Sequence, residues 1–137
     1  MSAAGAGGSG AGALQALADQ LREEDTPIAE HVIDPVGAAE SGLSEEYAVV
    51  FEAVREGYLL HYGESRLMAG HDADLGLLAG DYLYALGLDR LAALGDTEAV
   101  AVLSELIGRC AQLHAEGRDG EVAGLWEASA RRLAERG

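Results

Sequence analysis

A chain of 137 residues that is 49% apolar can bury one hydrophobic core and is one domain at most. Its net charge of −15, from 24 acids against nine bases, excludes nucleic acid and anionic membranes as partners, because both require a positive surface. A single cysteine, Cys110, excludes an intrachain disulfide. With no signal-like N-terminus and no bilayer-length apolar run, the chain reads as cytoplasmic, with no membrane insertion.

The apolar bulk is Ala and Leu, which with Glu and Arg favour helix, and no alternating Val/Ile/Thr stretch suggests a sheet, which predicts an all-α fold. Ser2 to Gly12 contains only Gly, Ala and Ser and reads as a flexible tail, leaving residues 13–137 as a single helical domain. Leu14, Leu17 and Leu21 share one face of a first helix from Ala13 to Glu24. Thr26-Pro27 opens a short helix that Pro35 must end, and Pro35 to Gly42 is a loop.

Ser44 caps the next helix, with Glu45 and Glu46 at the positive end of its dipole and Tyr47, Val50, Phe51 and Val54 inward. That helix fades near Gly57 or continues to Tyr62, and Gly63 to Gly70 connects it onward. Asp72 or Asp74 caps a long helix running to Leu94. It carries Leu77-Leu78-Ala79-Gly80-Asp81-Tyr82-Leu83, where an acid interrupts an apolar run. Such an acid is costly to bury unless satisfied, so Asp81 demands an explanation.

Gly95-Asp96 is a stop and restart, Gly ending one helix and Asp capping the next. That next helix carries Val100, Leu103, Leu106, Ile107 and Cys110 and runs to about Glu116. Gly117 to Gly120 turns the chain into a last helix with Val122, Leu125, Trp126 and Leu133 on one face. Arg131, Arg132 and Arg136 sit near its negative end. The total is a compact bundle of about five to six helices.

No catalytic constellation emerges from the residues. A di-iron bundle needs Glu-x-x-His on two helices, and none of His31, His61, His71 or His114 has Glu three residues before it. The glycines of residues 5–12 follow no strand and lack the Lys of a phosphate loop. Cys110 reads as a buried small hydrophobe. His71, Asp72 and Asp74 are the one cluster with metal-ligating residue types, and helix capping accounts for them as well.

His61-Tyr62-Gly63-Glu64-Ser65, then Leu78-Ala79-Gly80-Asp81-Tyr82-Leu83, a Leu/Ala helix and Leu94-Gly95-Asp96 resemble the trans-polyprenyl diphosphate synthases over roughly Phe51 to Ile107. There an Arg-Arg-Gly-x-Pro turn precedes Val-Leu-Ala-Gly-Asp-Tyr-Leu at this distance. The resemblance implies a bundle like the central part of an isoprenoid synthase fold. The family ionises allylic diphosphates with magnesium held on two Asp-Asp-x-x-Asp motifs. Here the first motif falls on Glu52-Ala53-Val54-Arg55-Glu56, the Arg pair is replaced by His61-Tyr62, and no Asp-Asp pair occurs anywhere. Glu52 and Glu56 share a helical face, which a pair of surface acids also explains.

By that resemblance the chain has no catalytic, cofactor-binding or metal residues of its own, and Mg2+ belongs only to a catalytic partner. In the family the two helices after the Arg-rich turn build the subunit interface, which maps here to Leu77, Leu78, Asp81, Tyr82, Tyr84, Ala85, Leu88, Leu103 and Ile107. Some family members pair a catalytic large subunit with a small helical one that influences product chain length. The expectation is such a non-catalytic small subunit, with Asp81 a structural acid beside the pairing surface. The alternatives are a self-associating helical dimer acting as a scaffold, or a small metal protein using His71, Asp72 and Asp74.

Overall fold

The computed structural model describes residues 8–36 and 42–136. Residues 1–7, in the expected tail, and 37–41, most of the expected loop after Pro35, lie outside the described residues. Five α-helices follow one another: α1 (Gly8–Glu23), α2 (Glu45–Tyr62), α3 (Ala73–Leu94), α4 (Thr97–Ala115) and α5 (Val122–Ala134). Single 3-10 turns stand at Ala29–His31 and Asp119–Glu121. Among the described residues the only β pairing is one isolated bridge between Val32 and Met68. The fold is an all-α bundle, as the composition predicts.

Two expectations near the N-terminus are corrected. Helix α1 begins at Gly8, so the last residues of the Gly/Ala/Ser segment are helical. Once Leu14, Leu17 and Leu21 are buried, each residue added to the anchored helix gains a hydrogen bond at little further cost. The helix expected after Pro27 is only a 3-10 turn, with Thr26 Oγ1 accepting from the Ile28 N–H at 3.2 Å. The chain leaves it because Ile33 N–H donates to the Leu67 carbonyl at 2.8 Å, drawing this segment against the α2–α3 connector.

The long helices are bounded where local chemistry sets them. Ser44 occupies the position before α2 in an extended conformation, although its side chain makes no capping bond. Asp72, rather than Asp74, caps α3 by accepting from Leu75 N–H at 2.8 Å. Gly95 takes the left-handed conformation (φ 79°, ψ 11°) that closes α3. Asp96 then caps α4 through the Ala99 N–H.

Helix α2 is the innermost element. Its start meets the α3–α4 junction, Tyr47 donating to Asp96 at 2.6 Å. Its end lies by the end of α4, with Tyr58 Oη 2.8 Å from His114 Nε2. Helix α3 therefore runs antiparallel to α2 and α4 parallel to it. Val50, Phe51 and Val54 enter a core shared with Leu91, Leu103, Leu106, Trp126 and Leu133. On the opposite side Ala53 joins Leu14, Leu17, Leu21, Leu67, Ala79 and Leu83. Two cores on either side of one helix leave α2 little contact with water.

Helices α2 and α3 approach closely because glycines line their contact. A Cβ on Gly57 would come 2.8 Å from the Gly80 carbonyl oxygen, and one on Gly80 would come 3.1 Å from the Gly57 carbonyl oxygen. Seven residues further along α3, a Cβ on Gly87 would meet Val54 at 2.7 Å and the Val50 carbonyl oxygen at 3.1 Å. The Gly of the Gly80-Asp81 pair is thus the packing residue.

Candidate functional site

The burial of α2 changes the meaning of its acids. Glu52 and Glu56 are 2% and 0% exposed, so they are not a surface pair. Both face Arg66, from the connector that follows the helix. The Arg66 Nε donates to Glu56 at 2.6 Å and an Nη to Glu52 at 2.8 Å. Glu56 also accepts from Ser65 Oγ at 2.6 Å and from the Arg66 backbone N–H at 3.1 Å. Ser65 Oγ in turn accepts from Leu67 N–H and Met68 N–H, both at 3.0 Å. The four-residue spacing of the acids puts them on one helical face, and the connector folds back to close it.

Burial pushes the Glu52 carboxyl upward, and the neighbouring Arg66 charge and hydrogen bond oppose it. Burial alone would lower Arg66, but the Glu56 and Glu52 carboxylates outweigh it and hold the guanidinium charged. Two buried acids sharing one guanidinium form a structural latch. Magnesium requires an octahedral shell of oxygens, whereas both carboxylates here are committed to Arg66.

Asp81, by contrast, is not buried. Its side chain is 72% exposed and lies 3.0 Å from His61 Nε2, so the burial cost that drew attention to it does not arise. The His61 ring rests over Gly80, where a Cβ would come within 2.9 Å of it, and stacks on Tyr84 with centroids 5.3 Å apart. Tyr62 stacks on His114 at 4.0 Å, and Tyr58 bridges these rings to Trp126. Burial holds the Tyr84 phenol well above its ordinary range. These contacts fasten the ends of α2 and α4 to α3.

The residues expected at an interface fall into two groups. Leu77, Leu78, Asp81 and Ala85 are exposed on the outer face of α3, beside half-buried Leu88. Leu77 and Leu78 keep 48% and 61% of their surface in contact with solvent. The other four serve the chain's own packing. Tyr82 donates to Glu24 of the segment after α1 at 2.6 Å, a bond that raises its phenol to about 12. Tyr84 and Ile107 are half-buried against the core, and Leu103 is wholly inside it.

Among the described residues, no group of three or more His, Cys, Asp or Glu side chains is placed to hold a metal ion. Asp72 serves as the α3 cap, while the His71 ring lies against Gly76, 3.1 Å from where a Cβ would stand. Cys110 is buried, and burial pushes its thiol up to about 11, away from the thiolate a nucleophile needs. No described helix is long and apolar enough to cross a membrane. Comparison with protein-family models, curated proteins and solved structures finds no match to this chain.

Sequence reasoning missed Arg66. Its signal was present as a lone Arg ten and fourteen residues after two acids spaced by one helical turn. What concealed it was the assumption that α2 has a wet side.

Proposed function

We propose that this chain is the non-catalytic small subunit of a heteromeric polyprenyl diphosphate synthase, working in the cytoplasm beside a magnesium-bearing catalytic subunit and influencing product chain length. The observation that carries the reading is the α2–connector–α3 unit, taken with its sequence resemblance to that family. The α2 acids at the position of the first Asp-rich motif are committed to Arg66. Meanwhile the Leu-Ala-Gly-Asp-Tyr-Leu helix keeps Leu77, Leu78 and Ala85 exposed. Metal chemistry has been exchanged for a structural ion cluster while an apolar helix face remains open, the division expected of a subunit that assists rather than reacts.

Co-expression with a full-length synthase from the same genome tests it. The expected result is a complex of fixed stoichiometry whose product length differs from that of the large subunit alone, while this chain alone forms no prenyl diphosphate. An eluate without synthase overturns the proposal. A stable homodimer indifferent to the synthase would put self-association in its place.

A further inference from the structure

The outer face of α3 carries a regular seam. Asp74, Leu78, Asp81, Ala85, Leu88 and Ala92 follow one another at alternating spacings of four and three residues, the repeat that keeps side chains in line beneath a second helix. Leu77 and Asp89 flank the line, and every one of these residues is exposed except half-buried Leu88. The small side chains of Ala85 and Ala92 allow close approach, while Leu77 and Leu78 offer the larger apolar contact.

The charges on this face have one sign. Helix α3 contains three acids, Asp74, Asp81 and Asp89, and one base, Arg90. That Arg is turned to α1, where it donates to Gln20 at 3.3 Å. A helix laid on the seam would remove water from Asp74 and Asp89, and from Asp81, whose carboxylate otherwise meets His61 Nε2 at 3.0 Å. That is costly unless the newcomer supplies positive charge. A second copy of this chain cannot supply it from α3: pairing two such faces, in either direction, brings acids to the contact, and the adjoining His61 ring is already beside its own Asp81 at 3.0 Å.

We infer that the outer face of α3 is a docking seam for a cationic amphipathic helix of a different chain, with apolar residues over Leu77, Leu78 and Leu88 and Lys or Arg opposite Asp74, Asp81 and Asp89. This deepens the proposed function and rests on it for the partner's identity, but not for its chemistry. The acids act as register marks, as a polar residue in an otherwise apolar seam does in coiled coils. The leucines supply the contact area.

Two synthetic helical peptides with the same apolar stripe, one flanked by Lys and Arg and the other by Glu, provide the probe against the full chain. The cationic peptide is expected to bind and the anionic one not to. Binding should weaken steeply from about 0.1 M to about 1 M salt, as the screening length falls from about 10 Å to about 3 Å. Leu78→Glu should weaken it at least about tenfold, the loss of a central apolar anchor, with unchanged helicity by circular dichroism. Attraction to an acidic surface in general would instead be preserved or strengthened by that substitution, which would overturn the inference. Equal binding of both peptides, no binding of the cationic one, or a homodimer dissolved by Leu78→Glu would also overturn it.

The two proposals fail separately. If the cationic peptide binds at the seam but no synthase co-purifies, the functional reading falls and the docking chemistry stands. If a synthase co-purifies equally well with Leu78→Glu and with Asp74→Lys/Asp89→Lys, the seam falls and the functional reading stands.

Discussion

Arg66 holds together what would otherwise be two unpaired carboxylates inside the protein. Replacing a buried ion cluster by apolar groups is often neutral, whereas removing one partner leaves a buried charge uncompensated. Arg66→Met is therefore expected to destabilise the chain by about 3–5 kcal/mol, read from urea denaturation. The triple variant Glu52→Met/Glu56→Gln/Arg66→Met should recover most of that loss. Gln at position 56 keeps an acceptor for Ser65 Oγ and the Arg66 N–H, both bonded to Glu56, while removing the charge. A triple variant no more stable than Arg66→Met would show that the cluster stabilises through its charges. The candidate site was only half legible beforehand for the same reason. The loss of paired aspartates was visible in the letters Glu52-Ala53-Val54-Arg55-Glu56, but the capture of both acids by a connector residue depends on how far α2 is buried, which is a tertiary fact.

The α2–α3 pair shows at the scale of an element what single residues conceal. Glycine inside a helix normally costs about 1 kcal/mol relative to alanine, so an exposed one is an opportunity and a packed one a necessity. Gly108 of α4 and Gly124 of α5 have no atom within 4 Å of a built Cβ, whereas Gly57 and Gly87 meet backbone oxygens at 2.8 and 3.1 Å. Gly108→Ala and Gly124→Ala should each raise stability by up to about 1 kcal/mol. Gly57→Ala and Gly87→Ala should lower it by about 1–3 kcal/mol through overpacking, and thermal unfolding of the four variants distinguishes the two classes. The ends of α3 and the start of α4 were legible because their signals are local: Asp72 or Asp74 as a cap, and Gly95 with Asp96 as a stop and restart. The order of burial was not. Apolar periodicity singles out α3, whose run of leucines partly faces outward, while α2, marked by acids at positions 52 and 56, lies innermost. Acids conventionally mark the wet face of a helix, and here both are consumed internally.

For the molecule as a whole, its net charge of −15 and its acid-stabilised junctions pull stability in opposite directions as pH falls. Down to the isoelectric point near 4.4, protonating surface carboxylates relieves self-repulsion and favours the compact state. Protonating Asp96 does the reverse. This carboxylate accepts from Arg136 after α5, from Tyr47 at the start of α2 and from Ala99 N–H in α4, so it gathers three helices at one end of the bundle. The Arg136 hydrogen bonds foremost, then that of Tyr47, hold it far below the usual carboxylate range. With the folded value below the unfolded value of about 3.9, the unfolded chain binds the proton more readily. The contribution of Asp96 is therefore complete above the unfolded value and lost as pH falls towards the folded one. Salt separates the two effects. Near 1 M salt, where the screening length is about 3 Å, long-range repulsion is suppressed, and Tm should decline steadily below about pH 4. Near 0.01 M salt, where the screening length is about 30 Å, relief of repulsion should raise Tm down to the isoelectric point near 4.4, below which growing positive charge should steepen the decline. At high salt the difference in Tm between the protein and its Asp96→Asn variant should shrink as the acid range is entered, because the variant has no proton to take up at this position. A difference that stays constant with pH would mean that Asp96 acts through its shape and hydrogen bonds alone, leaving the acid response to carboxylates spread over the surface.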